Sequence, residues 1–521
     1  MEVIVEEIEE LIPPLKRIKN ADDVEREEIR QYVVPQLFEI ERELKQVDIN
    51  AVLERISNED IYLRLFFLSW AHHITLDTIY MERIVEETIC APLDIDEKWH
   101  LYEQLTGLFF KNPDWTMSER LEELLDALYK SVVDWYLERL DKELKFIPVG
   151  ERNKEFVLVT TGQFLGIQHG PTKTTLDRCR ILISDLGKDV LLVNSGTVIP
   201  WYRIVPMVKM TIGSYLDKYS NADCISYENV DVPYWQMENR LPTLSEMRKL
   251  VDIVIENKPY QIVSIGNGFI EEILCRLIPT IHISLTPSKM GRTFVQYQQI
   301  GRRVNQKDRL VLEHRGISER HIVSDVFTSH LQPQFSHANR SELGLPSTGR
   351  IAVIVGGRLS SEVTEDFLLM VKPCMEQGMY LLILGDVSSK EEEFRNVLGD
   401  ASERLVLPGA VEDPLAYLDH CFIYLNPKRI GGGTSSVEAM SKGVPPITIR
   451  YGDVYTNVGE SFAVSDYGEM KNMIIKYLCD NDFYSKQSKT AVERSKIMLD
   501  SSSAFIRVME EYEKRMIEDE V

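Results

Sequence analysis

The chain has 521 residues, 44% apolar and 27% charged, the make-up of a folded protein of roughly two to four domains. A formal net charge of −23 argues against nucleic acid, whose phosphates call for a basic surplus, and against an anionic membrane surface. Seven scattered cysteines without a CxxC pair, an acidic N-terminus and no apolar run near the ~20 residues of a membrane span point to a cytoplasmic chain with reduced thiols. The same features argue against a disulfide framework, a zinc site and a transmembrane anchor.

Residues 1–150 read as an all-helical domain. In "SERLEELLDALYKSVVDWYLERLDKEL" the apolar Leu121, Leu124, Leu125, Leu128, Val132, Trp135 and Leu140 fall mostly three or four apart, one face of an amphipathic helix. "EREEIRQYVVPQLFEIERELKQV" is spaced similarly, with Pro35 as a kink or a start. "IYLRLFFLSWAHHI" is apolar all round and belongs inside the bundle. Its adjacent His72 and His73 face different ways and read as packing or capping residues, not as a metal pair. Such a bundle suits docking, to a partner subunit or to a second copy.

From Phe156 the texture changes. "FVLVTTGQF", the loop "LGIQHGPTKTT", the helical "TLDRCRILISDLG" and "DVLLVNSG" give strand, loop, helix and strand. "QIVSIG", "GFIEEILCRLI" and "TIHISLT" resume the pattern, so 151–345 reads as one doubly wound, Rossmann-like α/β domain. After the Ser/Gly/Pro-rich "SELGLPSTGR" the alternation restarts with "IAVIVGG", "TEDFLLMVKPCMEQG", "YLLILGD", "RLVLPG", "DPLAYLDHC" and "FIYLNP". This gives a second Rossmann-like domain over 346–521, whose polar-faced last helix is placed to cross back to the first.

The stretch "YLNPKRIGGGTSSVEAMSKGVPPITI" carries the chemistry. Ligands of open α/β sheets lie beyond the carboxyl ends of the strands, and the glycines follow a strand directly. Gly431, Gly432 and Gly433 hold no side chain against a ligand. Thr434, Ser435 or Ser436 is placed to cap the next helix, and Lys428 and Arg429 stand beside its positive end. Bare backbone, a helix N-terminus and cations make a phosphate site. Glu438, one turn further in, is placed to accept from a ribose diol. No GxxxxGK[ST] loop occurs, and "GQFLGIQHG" does not supply a GxGxxG fingerprint.

"FIYLNPKRIGGGTSSVEAMSKGVPPIT" resembles the donor-binding segment of GT-B-fold glycosyltransferases, family 4 especially. "IAVIVGGRLSSEVTEDFL" resembles the opening strand and Gly-Arg of the same domain, and "LVLPGAVEDPLAYLDHC" its base-holding segment. The resemblance implies an α/β fold of two facing Rossmann-like domains, here behind a helical domain, and transfer from a nucleotide sugar, a UDP-sugar, as co-substrate. It implies no resident cofactor or metal, and no DxD-like cluster stands at a strand end. By the same resemblance Arg358 contacts the donor diphosphate, Glu438 holds the ribose, Gly432 and Gly433 admit the phosphates, and Ala410 and Val411 border the base. The loop from Gly162 to Pro171 faces the sugar, with His169 nearest the chemistry. His169 serves there as proton acceptor, as substrate contact or as a loop-closing residue. Lys173 reads as a surface or phosphate-side cation, Asp177 and Arg178 as a helix-surface pair, and Asp453 and Glu460 as exposed loop acids that either border the acceptor or form a solvated turn.

Two positions depart from the family pattern. Ile430 stands where a Glu eight residues before the second Glu touches the donor sugar, and Val363 stands where a Lys follows the Gly-Arg. Lys428 or Arg429 is placed to supply that missing cation. A helical domain ahead of such a core is similar in layout to soluble bacterial protein N-glycosyltransferases related to O-GlcNAc transferase, which implies a polypeptide acceptor ahead of a glycan. The two departures equally suit a degenerate binding or chaperone subunit of an active partner, and a GT-B-fold sugar epimerase is a third reading.

Overall fold

The structure is a computed structural model, and it describes residues 2–44, 49–56, 60–112, 115–167, 169–198, 216–238, 241–331 and 333–520. Seven helices open the described chain: α1 (Glu2–Lys16), α2 (Asp23–Leu44), α3 (Ile49–Ile56), α4 (Ile61–Thr75), α5 (Ile79–Cys90), α6 (Ile95–Lys111) and α7 (Glu119–Arg139). Starts are set by local chemistry: Asp94 and Glu97 form a capping box on α6, and Ser118 accepts from the Leu121 amide on α7. Pro35 lies inside α2. Helix α4 buries ten side chains, Tyr62, Phe66, Phe67 and Trp70 among them, as its all-round apolar face requires. His72 is a buried packing residue: its Nδ1 bonds the Asp77 carbonyl and its ring meets Trp115 edge-on.

The first α/β unit runs β1 (Asn153–Thr161), α8 (Gly170–Ser184), β2 (Asp189–Asn194), β3 (Cys224–Tyr227), β4 (Val230–Gln236), α9 (Leu244–Asn257), β5 (Pro259–Ile265), α10 (Ile270–Leu274), β6 (Thr280–Ile283), β7 (Tyr297–Ile300), α11 (Gln306–Arg315) and β8 (Ile322–Ser324). Its sheet has the order β3-β4-β2-β1-β5-β6-β7-β8 and is parallel except for β3 against β4. The central strands are apolar on both faces because both are covered. One face, with Leu158, Val193 and Ile262, shares a continuous core with the helical domain. The opposite face, with Val157, Val159 and Val263, packs under α8 and the last helix.

The second unit runs β9 (Ile351–Val355), α12 (Leu359–Glu362), α13 (Glu365–Glu376), β10 (Tyr380–Leu384), α14 (Glu391–Leu398), β11 (Leu405–Gly409), α15 (Pro414–Leu418), β12 (Ile423–Asn426), α16 (Gly433–Ser441), β13 (Pro446–Ile449), α17 (Gly452–Val458), β14 (Ala463–Val464), α18 (Tyr467–Cys479) and α19 (Asn481–Leu499). Its sheet order is β11-β10-β9-β12-β13-β14, all parallel.

Helix α20 (Ser501–Glu520) leaves this unit and packs on the first sheet through Phe505, Val508, Met509, Tyr512 and Met516. Polar bonds fix it there: Tyr512 donates to the Pro279 carbonyl at 2.5 Å, Tyr260 to Glu513 at 2.6 Å and Arg152 to Glu520 at 2.7 Å. Among the described residues no helix is long and apolar enough to cross a membrane.

Candidate functional site

The loops at the carboxyl ends of the two sheets meet. Ser288, after β6, donates from its amide (3.1 Å) and hydroxyl (2.6 Å) to Asp453 in the first turn of α17. The Ser329 hydroxyl lies 3.5 Å from that of Thr434. A cleft walled by both domains follows, and the glycine stretch is on its second-domain side.

Gly432 is the N-cap of α16 at φ +93°, a conformation natural only to glycine. Among the described residues no side chain caps this helix. Ser435 and Ser436 instead turn their hydroxyls back to the carbonyls of Gly432 (3.1 Å) and Gly433 (2.7 Å), and Ser435 also meets the Tyr424 hydroxyl at 2.9 Å. The amides of the first turn therefore keep no side-chain acceptor. An uncapped N-terminus of this kind attracts an anion.

The two arginines divide their work. Arg429 is buried and saturated: Nε donates to Asn426, NH1 to Glu362, and NH2 to the Val355 carbonyl and the Tyr424 hydroxyl, all at 2.7–3.0 Å. It supports the loop from beneath; an added methyl on Gly432 would lie 2.4 Å from its NH2. So Arg429, read from sequence as a cation at the ligand, is a buried strut of the glycine loop. Arg358 is the cleft cation. Its side chain stays 40% exposed, its NH2 lies against Gly431, and Glu362 accepts from its Nε (3.1 Å) and NH2 (3.0 Å). These two guanidinium groups hold the Glu362 carboxyl low despite its burial. Phe110 of α6 lies under Arg358, 4.9 Å from ring centroid to guanidinium carbon, so the helical domain also reaches the site.

Lys428 sits at the strand exit: its amide bonds the Tyr467 hydroxyl, and its ammonium lies 5.9 Å from the Tyr451 ring. Ile430, at the position of the missing Glu, is buried and its carbonyl accepts from the Asp453 amide. Val363 is buried in the second core. Glu438 is half-buried on α16; burial pushes its carboxyl up, while Lys173 on α8, across the cleft, draws it down. Lys173 thus acts on Glu438 from the first domain. Ala410 is exposed and Val411 half-buried, just past Gly409 at the end of β11.

His169 is the N-cap residue of α8 and its Nδ1 meets the Thr172 hydroxyl at 3.1 Å. Burial, with the Arg358 charge second, pushes it down to about 4, so the ring is neutral at pH 7. The two cleft groups therefore sense each other from opposite domains.

Other acids sit differently from their sequence reading. Asp453, read as an exposed loop acid, is 6% exposed and joins the domains; burial pushes it up to about 6 although Ser288 stabilises its charge. Glu460 is exposed and pairs with Arg450. Asp177 and Arg178, read as a surface pair, are buried: Arg178 donates to Asp177 at 2.8 Å and to Thr328 at 3.0 Å. Their partner on the far loop after β8 has no local signature in sequence.

Residues 350–480 match the family model described as glycosyl transferases group 1. A mutant of the O-GlcNAc transferase of Thermobaculum terrenum is similar in structure over 99% of this chain and 98% of its own, with a TM-score of 0.56 and 12% identity. A glycosyltransferase of Rickettsia africae is similar over 70% of this chain and 100% of its own, with a TM-score of 0.51 and 12% identity. No curated protein sequence matches the chain. The fold is that of GT-B glycosyltransferases, with two facing Rossmann-like domains behind a helical region, as expected from the sequence.

Proposed function

We infer that this chain is a glycosyltransferase that moves a hexosyl or N-acetylhexosaminyl group from a UDP-sugar to an acceptor, a polypeptide ahead of a glycan, with no resident cofactor or metal. The match of 350–480 supports the class, and the uncapped N-terminus of α16 beside Arg358 is the observation that carries the chemistry. A leaving diphosphate gains negative charge as the glycosidic bond breaks; first-turn amides and a guanidinium already in place stabilise it without reorganisation. Glu438 takes the ribose hydroxyls, Ala410 and Val411 border the base, and Lys428 and Lys173 add positive potential. His169, neutral and facing Arg358, is the group placed to accept the acceptor's proton. The Ser288–Asp453 contact holds the two domains together over the cleft and limits loss of donor to water. The chain works in the cytoplasm, with the helical domain as the surface for a partner or a second copy.

The test is calorimetry with UDP, GDP and ADP, followed by release of nucleoside diphosphate from a panel of nucleotide sugars. UDP should bind and a UDP-sugar should turn over, with loss on Arg358→Ala or Glu438→Ala. A buried Ile430 in place of the sugar-contacting acid favours a second reading, a binding subunit of an active partner. That reading predicts UDP binding without turnover, and no UDP binding sinks both.

A further inference from the structure

The helical domain carries a buried carboxyl that its surroundings leave unused. Glu103 on α6 is 5% exposed, yet among the described residues no hydrogen bond or ion pair engages its carboxyl; only its backbone carbonyl is used, by Thr106. Other buried acids are all held: Glu97 by Tyr62 and Arg26, Asp126 by Arg292 and Arg315, Glu271 by Ser264 and His282, and Glu272 by Tyr129 and Thr293. Burial alone pushes Glu103 up to about 8. An unpaired buried carboxyl is destabilising, so a site that retains one calls for a ligand.

Its place on α6 says where that ligand lies. Trp99, Glu103 and Phe110 fall on one stripe of the helix, four and then seven residues apart. At one end Trp99 donates through Nε1 to the Thr197 carbonyl at 2.5 Å, just beyond the carboxyl end of β2. At the other end Phe110 meets Arg358 of the second domain. Glu103 thus lies between these two points, its Cα about 10 Å along the helix axis from that of Phe110.

We propose that Glu103 is an acceptor-binding residue, lent to the cleft by the helical domain, which recognises a neutral group that both gives and accepts a hydrogen bond, an alcohol or a carboxamide. The proposal rests on the reading of the chain as a glycosyltransferase. A neutral carboxylic acid donates through its O–H and accepts through its C=O, and these two groups complement it; a cationic group would instead ionise it.

The test uses the full chain and its Glu103→Gln and Glu103→Leu variants. UDP affinity is measured by calorimetry, melting temperature by scanning, and transfer from UDP-glucose and UDP-N-acetylglucosamine to methyl glucoside (the alcohol), N-acetylglycinamide (the carboxamide) and ethylamine (the charged amine). The expected result has four parts: UDP affinity stays within twofold in both variants; transfer to one neutral probe falls at least tenfold in Glu103→Leu; Glu103→Gln stays within threefold of the parent; and Glu103→Leu melts higher than the parent. Transfer by Glu103→Leu within threefold of the parent overturns the proposal, as does transfer confined to ethylamine or to none of the probes by a parent that binds UDP. A parent that does not bind UDP overturns the underlying reading and this proposal with it.

Discussion

Glu362 accepts from Arg358 with one carboxylate oxygen and from Arg429 with the other, so one acid sets both the cation that faces the cleft and the cation that supports the glycine loop. The three groups fix the distance between Arg358 and the N-terminus of α16.

Glu362→Ala should therefore act twice. It leaves Arg429 buried without its charge partner, which costs about 3–5 kcal/mol of stability in comparable buried pairs. It also frees Arg358 to wander, so UDP affinity should fall at least tenfold. Chemical denaturation and calorimetry read the two effects; a variant as stable as the parent would contradict the strut role of Arg429.

Arg358→Ala should leave folding nearly intact, because its side chain is 40% exposed and its pair with Glu362 is open to solvent on one side. UDP affinity should drop by one to two orders of magnitude, the order of about 1.5–3 kcal/mol for a charge-assisted bond. Matched denaturation curves with weaker UDP binding are the expected pair of results.

Two glycine substitutions separate backbone strain from crowding. Gly409→Ala meets φ +82° with nothing within 4 Å of the new methyl, so only conformational strain of about 1–2 kcal/mol applies. Gly432→Ala adds collision with the guanidinium of Arg429, which has no room to move away. It should unfold at distinctly lower denaturant than Gly409→Ala and lose UDP binding.

Asp453 gives a pH signature. Its folded value, about 6, is above the ordinary carboxylate value of 3.8, so the folded state holds the proton more tightly than the unfolded chain. Its contribution is favourable below pH 3.8 and is lost as pH rises through 6, by roughly 2–3 kcal/mol. Asp453→Asn should remove that slope between pH 4 and 6, measured by urea denaturation at half-unit steps. An unchanged slope would place the titration elsewhere.

His169 should report the donor. Diphosphate at Arg358 cancels the charge that helps to depress the ring, so its midpoint, about 4 in the free protein, should rise with UDP. Histidine resonances followed by NMR with and without UDP measure this; a midpoint that does not move would put the diphosphate away from Arg358.

What the sequence showed and hid divides by range. The strands around "IAVIVGG" and "FIYLNP" and the glycine-started helix are local patterns, and each lies where its residues placed it. The β3–β4 hairpin has a weak local signal: its two-residue turn is Glu228 and Asn229, both at positive φ and neither a glycine. Arg429 reads as a ligand cation in sequence because its partner Glu362 is 67 residues away. Asp453 is buried by Ser288, 165 residues away, and Arg358 meets Phe110 from another domain. A side chain's charge is visible in sequence, but its surroundings are assembled by the fold.

Because α20 returns to the first sheet, the chain passes between the α/β halves twice, once outward before β9 and once back after α19. The second unit is thus a loop-out of the first, tethered by two cords. Two tethers favour swinging about the line that joins them over free tumbling, as a lid on paired hinges does. It also means the second unit could be exchanged as a cassette, with both cuts made in the connectors.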